Sequence, residues 1–189
     1  MTFIEAQRNF VESLAAYSLV CYFLQIKDRH NGNILIDKDG HLIHIDYGFM
    51  LSSSPGKFNF EKVPFKFPRD FVEVMGGKNS SMFKYFKTLF SKGFLEMRKN
   101  YRKLVDLVAM MLPGTKMACF MAGPATIEKL EDRFKLHLSE AEAIAYADSL
   151  GRYNYYYYTR LTGLLVLESL ENWRTDLYDN FQYYSNDIK

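Results

Sequence analysis

Asp28, His30, Asn33 and Asp46 are the residues of this 189-residue chain whose types and spacing could do chemistry. They bracket an apolar alternation in DRHNGNILIDKDGHLIHIDYG, where Ile34, Leu35 and Ile36, then Leu42, Ile43 and Ile45, flank Lys38-Asp39-Gly40, a turn with glycine where positive φ is needed. Two short antiparallel strands are expected. Pairing across a turn centred near Asp39 makes opposing residue numbers sum to about 78 or 79, so Asn33 faces Ile45 or Asp46 at the open end. An amide oxygen and a carboxylate held there are hard ligands suited to Mg²⁺, which takes one or two protein oxygens and fills its shell with water and phosphate. Asp28 lies five residues before Asn33, the Asp-to-Asn separation of a phosphoryl-transfer loop. Asp46-Tyr47-Gly48 stands where such a site carries its Asp-aromatic-Gly metal motif. Any one of these residues alone would more often be a turn residue or a structural hydrogen bonder; the joint spacing carries the reading. His41, His44 and His137 are read as surface or turn residues.

Elements around the hairpin must hold it. FIEAQRNFVESLAAYSLVCYFLQI lacks Gly and Pro, carries its charges early and becomes apolar on nearly every side, as a helix buried in its second half does. After the hairpin, residues 49–81 have loop composition, with a short helix expected around Phe71. A loop this long in a compact domain is usually functional. The rest reads as helical. SMFKYFKTLFSKG puts Phe83, Phe86 and Phe90 on one face, and FLEMRKNYRKLVDLVAMML turns Leu95, Tyr101, Leu104, Val105 and Val108 inward until Pro113-Gly114 stops it. Thr126 is expected to cap TIEKLEDRF, Ser139 with Glu142 to form a capping box, and Trp173, Leu177 and Phe181 to line an amphipathic tail helix. The fold class is α+β, mostly α, with one small β-hairpin.

Composition sets the frame for partners. With 48% apolar and 24% charged residues the chain can bury one sizeable core, so one domain is expected. A net charge of +2 gives no reason to expect nucleic acid as a partner. Cys21 and Cys119 match no metal or redox spacing and read as buried free thiols of a reducing compartment. There is no secretory-type leader and no apolar run of roughly 18 residues, so a soluble or peripheral membrane protein is expected. Lys84, Lys87, Lys92, Arg98, Lys99, Arg102 and Lys103 read as a solvated helix face before they read as a bilayer contact.

IKDRHNGNILIDKDGHLIHIDYGFML resembles the catalytic loop and metal motif of the phosphatidylinositol 3- and 4-kinase superfamily, in which D-R-H-x-x-N precedes H-I-D-F-G. EAQRNFVESLAAYSLVCYFLQIKDRHNGNIL, GFMLSSSPG, FKFPRDFVEVMGG and LYDNFQYYSNDI narrow the resemblance to the type III phosphatidylinositol 4-kinases, the beta form best. The resemblance implies the C-terminal lobe of a kinase-like catalytic domain over residues 1–189, with its catalytic loop at 27–33, metal motif at 46–48, activation loop at 46–70 and a helical remainder at 80–189. It implies ATP with Mg²⁺, Mn²⁺ being an alternative, held by Asn33 and Asp46. Asp28 and His30 are both implied as takers of the inositol proton, and the sequence does not rank them. Leu35 and Ile45 match positions flooring the adenine pocket, and Arg29 reads as a loop anchor. Lys57, Lys62 and Lys66 are spread along the substrate loop beside Glu61, whereas enzymes acting on phosphorylated inositides carry a dense basic cluster there. The implied substrate is therefore unphosphorylated phosphatidylinositol, met by a cytoplasmic protein peripheral on Golgi or other internal membranes, with its regulators left open.

Three departures stand out. Tyr47 replaces the usual Phe of the metal motif and brings a hydroxyl that needs a partner if buried. GRYNYYYYTRLTGLLVL, 151–167, has no counterpart in the implied helix and reads as a surface insertion, an aromatic membrane-contacting element, or translated sequence that does not belong. The Gly-rich loop, phosphate-holding lysine and hinge of an N-terminal lobe are missing from these 189 residues. Two functions follow: a phosphatidylinositol 4-kinase catalytic region that works with its N-terminal lobe, or a catalytically incompetent C-lobe acting only as a membrane- or partner-binding module.

Overall fold

The computed structural model describes residues 2–55 and 63–165, with side chains described as far as Arg152. Helix α1, Phe3–Leu24, begins at Thr2, whose hydroxyl accepts from Glu5 N–H while the Glu5 carboxylate accepts from Thr2 N–H, a reciprocal capping box. It ends where Gln25 turns left-handed at φ 51°. Its second half is buried on most but not all sides: Leu14, Ala15, Cys21, Tyr22 and Phe23 lie in the core, while Ala16 and Val20 are exposed.

Strands β1, Ile34–Ile36, and β2, Leu42–His44, form the expected antiparallel pair. Ile34 pairs with His44, Leu35 with Ile43 and Ile36 with Leu42, so opposing numbers sum to 78 and Asn33 faces Ile45, whose N–H reaches the Asn33 carbonyl at 3.0 Å. The turn is built by Asp37, whose carboxylate accepts from the N–H groups of Asp39 and His41. Gly40 sits at φ +83° against α1, where a Cβ would lie 2.6 Å from the Ala6 carbonyl oxygen. Asn9 Nδ2 donates to the Asp39 carbonyl at 2.8 Å, and Leu42 N–H donates to Ser13 Oγ at 2.9 Å, so α1 holds the hairpin at both its turn and its second strand.

The helical remainder comprises α2, Arg69–Val74; α3, Ser81–Lys99; α4, Tyr101–Met110; α5, Ala125–Asp132; and α6, Glu140–Leu165. α1 packs on α3, and α3 on α6. Aromatic rings fill the seam, with Phe23 stacked between Phe94 at 5.4 Å and Phe134 at 4.5 Å, and Phe86 against Phe67 at 4.8 Å. Of the α3 face expected to turn inward, Phe86 and Phe90 are buried with Phe94, while Phe83 is half-buried at the edge. Ser139 and Glu142 make their capping box ahead of α6, and both cysteines are free and buried.

Two expectations are corrected. Thr126 does not cap α5: Pro124 occupies that place, and Thr126 is the second residue of the helix, buried, with its hydroxyl 2.6 Å from that of Ser52. His44 is no surface residue, because the alternation that buries Leu42 buries it too. The α6 backbone is helical through the 151–165 part of the stretch read as an insertion. The tail carrying Trp173, Leu177 and Phe181 lies outside the described residues, as do Lys57 and Lys62.

Candidate active site

The chain leaving α1 makes one 3₁₀ turn at Asn31–Asn33 and enters β1. Asp28 and Asp46 both adopt left-handed backbone, at φ 62° and 58°, a conformation that costs energy for any residue but glycine and persists only where neighbours hold it. Asp28 is held by its carbonyl, which accepts from His30 N–H at 3.1 Å and from the Asn33 side-chain amide at 2.8 Å. Asp46 is held by Arg29, which is 5% exposed. Its guanidinium donates to the carbonyls of Lys27 at 3.0 Å, Ile45 at 2.7 Å and Asp46, which ties the loop before β1 to the stretch after β2 across the mouth of the hairpin. Arg29 is thus an anchor, as its sequence position suggested.

Asn33 is buried and commits its Nδ2 to the main chain, so its side-chain Oδ1 is the end available to a ligand. Asp46 is exposed, one residue past the Asn33–Ile45 pair, and its Oδ1 accepts from Gly48 N–H at 3.0 Å. One amide oxygen and one carboxylate at a strand end are the hard, sparse donor set that Mg²⁺ accepts, and the residues fit that ion. Among the described residues no group of three or more His, Cys, Asp or Glu converges as a cage for a metal of the zinc type. His30 is exposed and Asp28 partly so, both on the loop that carries Asn33.

Leu35 and Ile45 share the outward side of the hairpin, 47% and 39% exposed, opposite the face that buries Ile34 and Leu42. This apolar surface is unusual for the solvent side of a two-stranded sheet, where polar residues normally alternate. Tyr47 answers the question its hydroxyl raised, since it donates to the His44 carbonyl at 2.9 Å and its ring meets the Arg29 guanidinium at 5.7 Å.

Sequence reasoning missed two residues here. Behind the site, His44 stacks on Tyr17 at 4.5 Å with Nδ1 3.4 Å from Cys21 Sγ. Burial, then the nearby Arg29 and Lys66, push its pKa down to about 4, so the imidazole is neutral at physiological pH. The period-2 alternation Leu42-x-His44 was the available signal. Lys27 is the second: its ammonium donates to Leu51 O, Ser53 O and Ser54 Oγ at 2.9, 2.7 and 3.0 Å, contacts about two dozen residues away in the chain that no local pattern marks. Lys66, read as a substrate-loop cation, reaches back to Asn31 Oδ1 at 2.6 Å.

One hairpin on a mostly helical body is thus set between a D-R-H-x-x-N loop and a D-Y-G motif. Residues 1–119 match the phosphatidylinositol 3- and 4-kinase domain. The chain is 46% identical over 188 residues to phosphatidylinositol 4-kinase of Dictyostelium discoideum, covering 100% of this chain and 15% of that protein. It is 48% identical over 188 residues to phosphatidylinositol 4-kinase beta 2 of Arabidopsis thaliana, covering 97% and 15%. With phosphatidylinositol 4-kinase beta of Rattus norvegicus the identity is 45% over 186 residues, covering 98% and 21%. The chain belongs to the phosphatidylinositol 3- and 4-kinase family, and it spans 15–21% of the length of these relatives.

Proposed function

We propose that this chain is the catalytic-loop region of a phosphatidylinositol 4-kinase, which moves the γ-phosphoryl group of ATP to the 4-hydroxyl of phosphatidylinositol and yields phosphatidylinositol 4-phosphate and ADP. The observation that carries the reading is the meeting of Asn33, Asp46 and the Asp28–His30 loop at the open end of one hairpin, held there by Arg29. Mg²⁺ bound to Asn33 and Asp46 would neutralise charge on the transferring phosphate, and Mn²⁺ has the same hard-oxygen preference. Asp28 or His30 takes the proton from the inositol 4-hydroxyl as that oxygen attacks phosphorus and the bond to ADP breaks. Leu35 and Ile45 lie under the adenine ring, with an N-terminal lobe closing over the hairpin's outward face as the partner that completes the ATP site.

The substrate loop favours a headgroup without phosphates of its own. Lys66 is engaged with Asn31, and Lys57 and Lys62 stand apart from it in sequence with Glu61 between, which is thin provision for added anionic groups. Among the described residues no helix is long and apolar enough to cross a membrane. The lipid is reached from the cytoplasmic face, at Golgi or other internal membranes.

The test is transfer from ATP, by the full-length protein, to vesicles of phosphatidylinositol or of phosphatidylinositol 4-phosphate. Label in a monophosphorylated lipid identified as the 4-isomer supports the reading. Transfer only to the phosphorylated lipid, or to neither, refutes it.

A further inference from the structure

We propose that Lys27 and Lys66 are positioning residues that pin the two flanks of the substrate loop to the catalytic loop. The inference rests on the kinase reading above and assigns a division of labour within that site: these two ammonium groups hold the loop that meets the lipid instead of binding phosphate.

At the first flank, the chain leaving the D-Y-G motif is joined to the end of α1 and to the catalytic loop. Lys27 N–H donates to the Phe49 carbonyl at 2.9 Å, and Leu51 N–H to the Leu24 carbonyl at 2.9 Å. Leu51 is buried at 3% exposure and sits at φ 48°, a backbone state that a leucine keeps only under restraint. The restraint is the Lys27 ammonium. It has three N–H bonds, and Leu51 O, Ser53 O and Ser54 Oγ, which all belong to this one turn, accept from it. A surface lysine keeps its head in water; this one spends its donors on the loop.

At the second flank, Phe65 and Phe67 are buried on either side of Lys66, anchoring the backbone in the core while the side chain between them returns to Asn31 Oδ1. Asn31 lies in the 3₁₀ turn that ends at Asn33. The catalytic loop therefore grips the substrate loop from its first residue, Lys27, and is gripped in return at its own turn. A lipid hydroxyl presented by that loop keeps its distance to Asp28 and His30 only while both straps hold, and small displacements of a reacting group are costly in rate.

The experiment measures amide hydrogen exchange and steady-state kinetics of full-length Lys27→Met and Lys66→Met proteins beside the parent. In Lys27→Met the amides of Leu51 and Ser53 are expected to exchange at least about tenfold faster, with the amides of α3 unchanged. In Lys66→Met the same acceleration is expected at His30 and Asn33. Both variants should raise KM for phosphatidylinositol about tenfold while KM for ATP moves less than about twofold, a split that general destabilisation would not produce. Unchanged exchange at those amides, or equal rises in both KM values, overturns the proposal. A parent protein without transfer activity defeats the kinase reading, and exchange at the flanks then decides the straps alone. If Lys27→Met loosens α3 as well, Lys66→Met decides between the same outcomes.

Discussion

The side-chain amide of Asn33 donates to the main-chain carbonyl of Asp28 at 2.8 Å, so the proposed metal ligand also holds the left-handed backbone of a candidate base. One bond sets the relative position of the two residues proposed to act on the same phosphoryl transfer. Asn33 is buried, so its amide loses a partner that water does not readily replace.

Asn33→Ala should therefore weaken more than ion binding. Removing the donor leaves the Asp28 carbonyl short of a partner and is expected to cost about 1–2 kcal/mol in denaturant unfolding of the metal-free protein. Mg²⁺ titration of the same variant should show weaker binding. Unchanged unfolding would mean that the Asp28 turn holds itself.

Gly40→Ala tests the seat of the hairpin on α1. The residue is at φ +83°, and its new methyl would press on the Ala6 carbonyl oxygen at 2.6 Å, against main chain that cannot step aside cheaply. The expected destabilisation is about 1–3 kcal/mol, read as a lowered unfolding midpoint. A neutral substitution would show that the turn is not pressed against the helix.

Acid should weaken the fold through His44. Its pKa is lowered from 6.5 to about 4 by burial first and then by the positive charge of Arg29 and Lys66. A base whose folded pKa lies below its unfolded one binds more protons when unfolded. The stability from keeping it neutral is thus complete above pH 6.5 and is lost as pH falls toward 4. The loss is on the order of 3 kcal/mol. Unfolding followed in chelator across that window should show this slope in the parent and a shallower one in His44→Phe. Equal slopes would assign the effect to other groups.

Much of the positioning was legible in the sequence because it is local. Alternation and an Asp-Gly turn narrowed the register to Asn33 opposite Ile45 or Asp46, of which the structure takes the first, and the Ser139–Glu142 spacing is a cap readable in four residues. Failures came where distant segments compete for a side chain. Thr126 carries the right chemistry for a cap, yet its hydroxyl is claimed by Ser52 across the fold while Pro124 starts the helix. Lys27 looks like any surface lysine until the chain returns at Leu51–Ser54 and offers it three oxygens. His44 is the intermediate case. Its alternation with Leu42 predicted burial, and only the habit of assigning histidines to surfaces hid it.

The most direct measurement is phosphate transfer from labelled ATP to phosphatidylinositol vesicles by the full-length protein, with Mg²⁺, beside Asp46→Ala. Asp46 is exposed and its side chain makes a short local bond to Gly48 N–H, so the substitution should leave folding nearly intact. Transfer by the variant should fall at least about a hundredfold, since a proposed metal ligand has been removed. A variant that transfers as fast as its parent would contradict the assignment of Asn33 and Asp46 as the metal-holding pair at the mouth of the hairpin.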